Sequence, residues 1–362
     1  MRNYGLDIVR AISIWMVLIM HMGFTPSWLK PYGLGGYGVE VFFVLSGFLI
    51  GGLLFKALYE ENSARAIMKF WVRRWFRILP LYYLCLSLKY LIIGPEIGKD
   101  VLYYIFFLQN HFYGVQFYSV TWSLVIEEWF YLVTPIFISG SLLVMRRKNR
   151  SVILSILLFI LTIILSRSLY VWYTDSGFFG VYGNVPLRFD SLFIGVLLAF
   201  IKRSSSSFYE SMRTNGVFFY SILLLIMLAV VNGLAYSNEW NWLMIFNQTI
   251  GLTILSFVIA LSIPFLESIK PSKNGVIGRI GYQVVTWTSL LTYGLYLIHP
   301  LIYSGLGAME EGTDSEWSID FIFIFGSYLA AWLAYVFFER PILLLRDKLT
   351  LQKVDKNKYR LQ

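Results

Sequence analysis

The chain has 362 residues, of which 57% are apolar and only 14% charged, and its formal net charge is +9. Soluble domains carry about 25% charged residues, and no hydrophilic block here is long enough to form such a domain, so the composition indicates a membrane protein. The single cysteine, Cys85, excludes a disulfide framework and a thiolate metal site.

Ten segments are long and apolar enough to cross a bilayer, which takes about 20 helical residues. In chain order they lie near residues 6–24, 37–57, 74–94, 121–143, 151–173, 184–202, 216–236, 242–265, 286–306 and 317–343. Residues 101–118 are apolar and aromatic but are interrupted by Gln109, Asn110 and His111, and we predict an interfacial or re-entrant segment there. The predicted fold is an all-α membrane protein with about ten transmembrane helices. One membrane domain covers residues 1–345, and a basic tail covers residues 346–362.

Basic residues are concentrated in alternate loops, which follow the second, fourth, sixth and eighth predicted helices, and in the C-terminal tail. The loop after the ninth helix is acidic, with Glu310, Glu311, Asp314 and Glu316. The positive-inside rule then predicts that both termini are cytoplasmic, in a multi-pass membrane protein. This topology and the attraction of anionic lipid explain the net charge. No nucleic-acid motif is present, so we expect no nucleic-acid partner.

Charged side chains occur inside the predicted helices, where each costs roughly 3 kcal/mol or more, so such residues usually face a polar cavity. In the first helix, Asp7, Arg10 and His21 are predicted to share one face, with Arg10 about 16 Å along the axis from His21. Asp7 and Arg10 would then lie at the cytoplasmic mouth and His21 toward the outer side. The alternative is an interfacial ion pair and a core histidine whose hydrogen bonds are satisfied.

The third predicted helix begins with Arg73, Arg74 and Arg77. Arg74 and Arg77 form an R-x-x-R pair on one helical face, and arginine binds phosphate through two parallel hydrogen bonds. One interpretation is therefore a phosphate-binding site at the cytoplasmic end of this helix. The other is that the arginines only follow the positive-inside rule.

Four further carboxylates and one arginine lie within predicted helices. Glu40 is in the first turn of the glycine-rich second helix, whose small residues favour close helix packing, and it is a candidate cavity residue. Glu127 and Glu128 lie about one turn inside the outer face of the fourth helix, and one of them is predicted to pair with a cation of another helix. Arg188, beside Asp190 at the outer start of the sixth helix, is the candidate partner.

The ninth helix contains Tyr296 and His299, followed by Pro300, which frees a backbone carbonyl and is able to kink a helix. His299 alone is interpreted as structural more than catalytic. The chain has no metal-spaced His/Cys cluster, so no metal is expected. It also has no Walker loop, dinucleotide fingerprint or G-x-S-x-G motif, which argues against a P-loop transporter and a Ser hydrolase.

These segments resemble, in order along the chain, the motifs of the integral-membrane acyltransferase-3 family. The motifs are Leu6-Asp7-x-x-Arg10 with His21; residues 38–50 (GVEVFFVLSGFLI); Arg74-x-x-Arg77 ending at Pro80; Trp122-Ser123-Leu124 followed by Glu127-Glu128-x-Phe130-Tyr131; Arg188-x-Asp190 with Gly195; Tyr293-x-x-Tyr296-Leu297-x-His299-Pro300; and Glu339-Arg340-Pro341. Each motif is weak alone, but the ordered set extends from residue 6 to residue 341.

The resemblance implies a ten-span O-acyltransferase of the plasma (bacterial inner) membrane. Such proteins take an acyl group, usually acetyl, from cytoplasmic acyl-CoA (acetyl-CoA) and transfer it to a hydroxyl of a cell-surface glycan or a lipid-linked sugar. The family's essential first-helix histidine and R-x-x-R arginines match His21, Arg74 and Arg77. Because the chain ends shortly after the tenth helix, we expect a stand-alone form without the extracytoplasmic hydrolase-like domain of some members.

The resemblance also suggests roles. The acyl-CoA phosphates are expected to bind Arg10, Arg73, Arg74 and Arg77. The expected catalytic residues are His21, Asp7 and Glu127. The expected substrate-binding residues are Glu40, Glu128, Arg188, Asp190, Tyr296 and His299. His21 either deprotonates the acceptor hydroxyl or carries the acyl group as an acyl-imidazole, and both routes stay open.

Two rival functions use the same features. A transporter or flippase for an anionic or sugar-linked substrate would use the buried charges as a conduction path, although no internal repeat of the kind common in such proteins is found. A polysaccharide polymerase or ligase usually carries a large outer loop with arginines, and no loop here has that form.

Overall fold

The computed structural model describes residues 2–23, 25–26, 29–30, 33–58, 64–93, 95–112, 117–144, 149–174, 178–237, 241–272, 274–307 and 316–349. The regular secondary structure of these residues is helical, and they contain no strand. The predictions for Glu310, Glu311 and Asp314 and for the tail beyond Leu349 lie outside the described residues.

The α-helices are numbered in chain order. They are α1 (Tyr4–Ile19), α2 (Leu34–Lys56), α3 (Ala64–Ile93), α4 (Val101–Ile105), α5 (Gln109–Phe112), α6 (Thr121–Val144), α7 (Asn149–Tyr173), α8 (Phe178–Tyr182), α9 (Phe189–Ser204), α10 (Ser206–Ser211), α11 (Asn215–Ser237), α12 (Asn241–Phe246), α13 (Leu252–Ser268), α14 (Gly275–Gly307), α15 (Glu316–Ala334) and α16 (Arg340–Leu349). Two π-helical turns, Asn247–Gly251 and Tyr335–Glu339, join α12 to α13 and α15 to α16 without a break.

Every segment that was predicted to cross the membrane contains helix. Among the described residues, six helical units are long and apolar enough to span a bilayer: α2, α6, α7, α11, α12 with α13, and α15 with α16. The other long helices, α1, α3, α9 and α14, are shorter or more polar. The prediction of an all-helical, multi-pass membrane protein is therefore confirmed.

The aromatic segment near residue 101 does not form a long helix in its described part. Residues 101–112 contain only α4 and α5, of five and four residues. A helix rises about 1.5 Å per residue, so neither is long enough to cross a bilayer. This agrees with the predicted interfacial or re-entrant segment.

Helices α2 and α9 pack face to face at the centre of the bundle, and glycine allows their close approach. A Cβ atom on Gly47 would lie 1.9 Å from the carbonyl oxygen of Leu192, and one on Gly195 would lie 2.1 Å from that of Val44. Any larger side chain would force the two backbones apart. The glycine-rich second helix thus has the packing role that its composition predicts.

Burial separates the central helices from the peripheral ones. In the most apolar window of α2, 67% of the residues are buried, but in that of α11 only 11% are. The exposed residues of α11 are large and apolar, including Phe219, Leu223 and Met227. Such a surface is stable against lipid and not against water, so α11 lies at the lipid-facing edge.

Candidate active site

A cavity of about 1430 Å³, called here the basic cavity, opens among α1, α2, α3, α6 and α14. Its basic lining residues are Arg2, Arg10, Lys56, Lys69, Arg73, Arg74, Arg77, Lys202 and Arg346, and its acidic ones are Glu127 and Glu267. So strong an excess of positive charge creates a potential that attracts an anionic ligand.

The basic residues converge because of the way the helices alternate. Arg2 and Lys69 lie at the beginnings of α1 and α3, and Lys56 and Lys202 lie at the ends of α2 and α9. In an up-and-down bundle these helix ends share one side. The cavity also reaches Ser123, at the beginning of α6, and therefore extends far into the bundle.

All three predicted arginines of α3 line the basic cavity. Neither Arg74 nor Arg77 forms an ion pair with a carboxylate of the described residues. The guanidinium of Arg74 lies 5.4 Å from the ring centroid of Tyr131, which orients it. Two cavity arginines that pair with no carboxylate of the described residues are suited to a ligand phosphate.

Asp7 lies at the basic end of the bundle, where it holds two cavity arginines. Its carboxylate accepts hydrogen bonds from Arg2 Nε at 2.7 Å, Arg10 Nη1 at 2.9 Å and Ser289 Oγ at 2.7 Å. Asp7 is buried, and Arg10 lines the cavity. The structure thus brings Asp7 together with the arginines and not with His21.

Glu267 closes the same end of the cavity through contacts with α9, with α10 and with the connection that follows α10. It accepts hydrogen bonds from Lys202 Nζ at 2.5 Å, Tyr209 Oη at 2.8 Å and Arg213 Nη2 at 3.3 Å. Burial, with the neighbouring Glu267 carboxylate, raises the pKa of Tyr209, so the phenol remains a hydrogen-bond donor. Lys202 is therefore already paired, in contrast to Arg74 and Arg77.

Glu127 and Glu128 lie on different sides of α6. Glu127 lines the basic cavity and accepts hydrogen bonds from Tyr131 Oη at 2.8 Å and Ser46 Oγ at 3.1 Å. Glu128 is buried, and its Oε1 atom has no hydrogen-bond partner among the described residues. Glu127 is thus the one of the two that a cavity ligand is able to reach.

The predicted pairing of Arg188 with Glu127 or Glu128 is wrong, because Arg188 pairs with Glu40. Both side chains of the pair are 0% exposed. Ser191 of α9 and Ser256 of α13 also donate hydrogen bonds to Glu40. The physical reason is that α2 packs directly on α9, so the carboxylate of α2 is the nearest one to Arg188.

A second buried ion pair joins α7 to α9. Arg167 Nη1 lies 2.9 Å from Asp190 Oδ2, and both side chains are 0% exposed. Arg167 also donates to the carbonyl of Leu187 and to Thr253 of α13. Arg167 was not predicted as a site residue, although an arginine in the apolar run of α7 is itself the signal. The basic cavity is not lined by Glu40, Arg188 or Asp190, which connect helices instead.

His21 lies beyond the end of α1, which stops at Ile19 and not near residue 24 as predicted. The backbone N–H of His21 donates to the Leu18 carbonyl at 2.9 Å in a turn that closes the helix. The shared helical face of Asp7, Arg10 and His21 therefore does not extend to His21. The residue lines a second cavity of about 390 Å³, the His21 pocket, together with Lys30, Tyr303 and Ile319.

The His21 pocket and the basic cavity have no described lining residue in common. His299 lies between them. Its ring centroid is 4.9 Å from that of His21 on one side and 6.1 Å from that of Tyr296 on the other. Tyr296 lines the basic cavity and its hydroxyl lies 2.6 Å from Ser123 Oγ. The structure thus brings His21, His299 and Tyr296 into one row, which the sequence did not predict.

The described residues contain no group of three or more His, Cys, Asp or Glu side chains that would hold a metal ion. The chemistry available at the site is that of imidazoles, hydroxyls and carboxylates beside a strongly basic cavity. Imidazoles and carboxylates are able to act as general bases or as nucleophiles.

Comparison with known proteins identifies the class. The chain matches the acyltransferase-3 family, described as an acyltransferase domain, over residues 3–336. The protein therefore belongs to this family of membrane acyltransferases. The resemblance seen in the motifs is confirmed.

Two curated relatives illustrate the match. The chain is 29% identical over 367 residues to O-acetyltransferase OatA of Staphylococcus aureus, covering 93% of this chain and 57% of the relative. It is 28% identical over 373 residues to peptidoglycan O-acetyltransferase OatA of Listeria monocytogenes, covering 93% of this chain and 55% of the relative. The chain thus spans little more than half the length of these relatives. No solved structure matches it.

Proposed function

We propose that this protein is an acyl-CoA-dependent O-acyltransferase of the plasma (bacterial inner) membrane. It moves an acetyl group from cytoplasmic acetyl-CoA to a hydroxyl of a cell-wall glycan. The observation that carries the proposal is the basic cavity, in which Arg74 and Arg77 form no ion pair with a carboxylate of the described residues. Family membership supplies the reaction type, and the names of the relatives support a glycan acceptor.

The donor is inferred from charge and shape. Coenzyme A carries several phosphate charges at one end and a thioester at the end of a long, thin arm. The cavity has its basic residues at one end of the bundle and extends to Ser123 and Tyr296. Phosphates bound at Arg74 and Arg77, with Arg73 and Arg10 nearby, would direct the thioester toward Tyr296. Asp7 contributes by holding Arg2 and Arg10.

The acceptor is assigned to the His21 pocket at the other end. His21 Nδ1 lies 2.9 Å from the carbonyl of Val17, and a carbonyl only accepts, so Nδ1 carries the proton. Nε2 then has a free lone pair, which takes the proton of a sugar hydroxyl as the oxygen attacks the acyl carbon. A glycan hydroxyl and a lipid-linked sugar hydroxyl suit this chemistry equally.

Glu127 is assigned to the donor side. Its carboxylate lines the basic cavity and is oriented by Tyr131 and Ser46. We assign it to orienting the donor arm and the arginines around it. Glu128, Glu40, Arg188 and Asp190 are buried, and their assigned contribution is the shape of the site.

The proposed topology has ten membrane spans with both termini cytoplasmic. A reporter fused after Asn149 or after Gln362 is expected to be cytoplasmic, and one inserted at Gly312 extracytoplasmic. Alkaline phosphatase and green fluorescent protein fusions at the three sites measure this. If Asn149 and Gly312 are reported on the same side, the ten-span topology is incorrect.

The donor site predicts the effect of two substitutions. Arg74→Ala and Arg77→Ala each remove a charge-assisted hydrogen bond to phosphate, worth about 1.5–3 kcal/mol, which weakens acetyl-CoA binding roughly 10- to 150-fold. Calorimetric titration of the purified protein with acetyl-CoA measures the dissociation constant.

Arg279→Ala is the matched control, because Arg279 is an exposed residue near the start of α14 that does not line the basic cavity. It removes one positive charge and is expected to leave the affinity within about twofold, since an exposed charge contributes little. Equal affinities for all three variants would exclude the arginines as the phosphate site.

A transporter or flippase remains the rival that explains the buried charges. Membership of an acyltransferase family argues for transfer chemistry. Mass spectrometry of cell-wall glycans from cells with and without the protein separates the two. We expect acetyl esters on glycan hydroxyls that disappear in the deletion strain and return with the wild-type gene but not with Arg74→Ala/Arg77→Ala. Unchanged ester content would contradict the proposal.

A further inference from the structure

The acyl group must pass a barrier inside the protein. The basic cavity extends to Tyr296, and the His21 pocket begins beyond it, without a described lining residue in common. If acetyl-CoA is bound in the basic cavity and the acceptor in the His21 pocket, the acyl group has to cross the side chains between them. One of these side chains therefore either accepts the acyl group covalently or moves to let it pass. This step rests on the proposed function.

His299 lies in this barrier and has an unused nitrogen. Its side chain is 0% exposed, and Nδ1 lies 2.9 Å from the carbonyl of Leu295. Because a carbonyl only accepts, Nδ1 carries the proton and Nε2 carries a lone pair. Among the described residues, Nε2 has no hydrogen-bond partner. A buried polar atom without a partner is destabilising, so its retention calls for a functional reason.

The two histidines have the same internal arrangement but different surroundings. In each, Nδ1 is hydrogen-bonded to the backbone carbonyl of the residue four positions earlier in the chain. That residue is Val17 for His21 and Leu295 for His299. His21 lines the acceptor pocket, whereas His299 is next to Tyr296 on the donor side. Their ring centroids are only 4.9 Å apart.

We infer that His299 is the acyl carrier, and that His21 is the base for the second half of the reaction. The Tyr296 side chain turns away from Ser123, and the His299 Nε2 lone pair attacks the thioester carbon. The C–S bond breaks, an N–C bond forms, and coenzyme A leaves as a thiolate that takes a proton from the water of the basic cavity. The product is an acyl-imidazolium whose Nδ1–H still donates to Leu295.

In the second half, the acceptor oxygen attacks the acyl carbon while His21 Nε2 takes the hydroxyl proton. The N–C bond breaks and its electron pair returns to His299 Nε2, so His299 is neutral again with its proton on Nδ1. His21 then releases its proton to the His21 pocket. The sum is one alcohol and one thioester converted to one ester and one thiol.

An exchange reaction tests this division of roles without an acceptor. The purified full-length protein is incubated with unlabelled acetyl-CoA and radiolabelled coenzyme A, and transfer of label into acetyl-CoA is followed. A reversible acyl-enzyme is required for exchange. We expect exchange by the wild type and by His21→Ala, and its loss in His299→Asn. Asparagine retains an N–H donor for the Leu295 carbonyl but has no equivalent of Nε2, so the variant separates chemistry from packing.

A second measurement does not depend on any variant. Wild-type protein is mixed with labelled acetyl-CoA, quenched in the absence of acceptor and digested, and the hydroxylamine-sensitive acetyl group is located by mass spectrometry. We expect it on the peptide that contains His299. Three results would each overturn the inference. They are label on the peptide that contains His21, exchange that persists in His299→Asn, and absence of exchange by the wild type. A protein that transfers acetyl to glycan without exchange would overturn only this inference, whereas failure to bind acetyl-CoA would overturn the proposed function as well.

Discussion

His21→Ala is expected to reduce acetyl transfer to the glycan by at least about 100-fold, because a positioned general base contributes roughly 10²–10⁴-fold to the rate. Binding of acetyl-CoA is expected to remain, since His21 lines a pocket separate from the arginines of the basic cavity. The measurements are the initial rate of ester formation with the purified protein and the dissociation constant of acetyl-CoA.

The control is His111→Ala. His111 is exposed and belongs to the short helix α5, and it lines neither cavity. We expect its transfer rate to be within about twofold of the wild type, as for most surface substitutions. Near-normal turnover by His21→Ala would contradict the mechanism but not the family. Loss of acetyl-CoA binding in that variant would instead show that His21 maintains the structure of the site and does not take part in the chemistry.

Glu40→Ala is expected to have the largest effect on stability. It leaves the guanidinium of Arg188 buried without its carboxylate, and breaking a buried ion pair costs about 3–5 kcal/mol. Ser191 and Ser256 lose their shared acceptor at the same time. The expected result is a marked fall in the midpoint of thermal unfolding in detergent, followed by fluorescence-detected size exclusion.

Two further variants make the stability prediction specific. Glu210→Ala breaks the exposed pair with Arg213, in which Glu210 is 57% exposed, and is expected to cost at most about 1 kcal/mol. The double variant Glu40→Gln/Arg188→Met removes both charges, so it is expected to recover part of the loss. If Glu40→Ala is as stable as Glu210→Ala, the buried pair does not stabilise the helix packing.

The helices were predictable because their apolar length is a local property of the chain. All segments chosen from hydropathy contain helix, and the basic residues predicted at the cytoplasmic mouth do converge on one cavity. The R-x-x-R spacing sufficed to assign Arg74 and Arg77 to one helical face. These features depend on residues close in sequence, which is why the sequence was enough.

The sequence did not predict in the same way which side chains of different helices contact one another. The charge on Arg188 indicated a buried carboxylate, but only the packing of α2 on α9 selects Glu40 over Glu127. The row from Tyr296 through His299 to His21 also depends on how α14 approaches the turn after α1. Hydropathy does not report the end of α1 at Ile19, because the residues that follow it, Met20 to Phe24, are apolar apart from His21.

In the proposed reaction, an acetyl group passes from acetyl-CoA on the side of the basic cavity to a glycan hydroxyl on the opposite side of the membrane. Purified protein in sealed vesicles, sorted by orientation with a C-terminal tag, is supplied with radiolabelled acetyl-CoA outside and cell-wall glycan fragments inside. We predict alkali-labile label on the fragments only in vesicles whose C-terminus faces the acetyl-CoA, and none with Arg74→Ala/Arg77→Ala. Label that appears in the opposite orientation, or no label although acetyl-CoA binds, would contradict this claim.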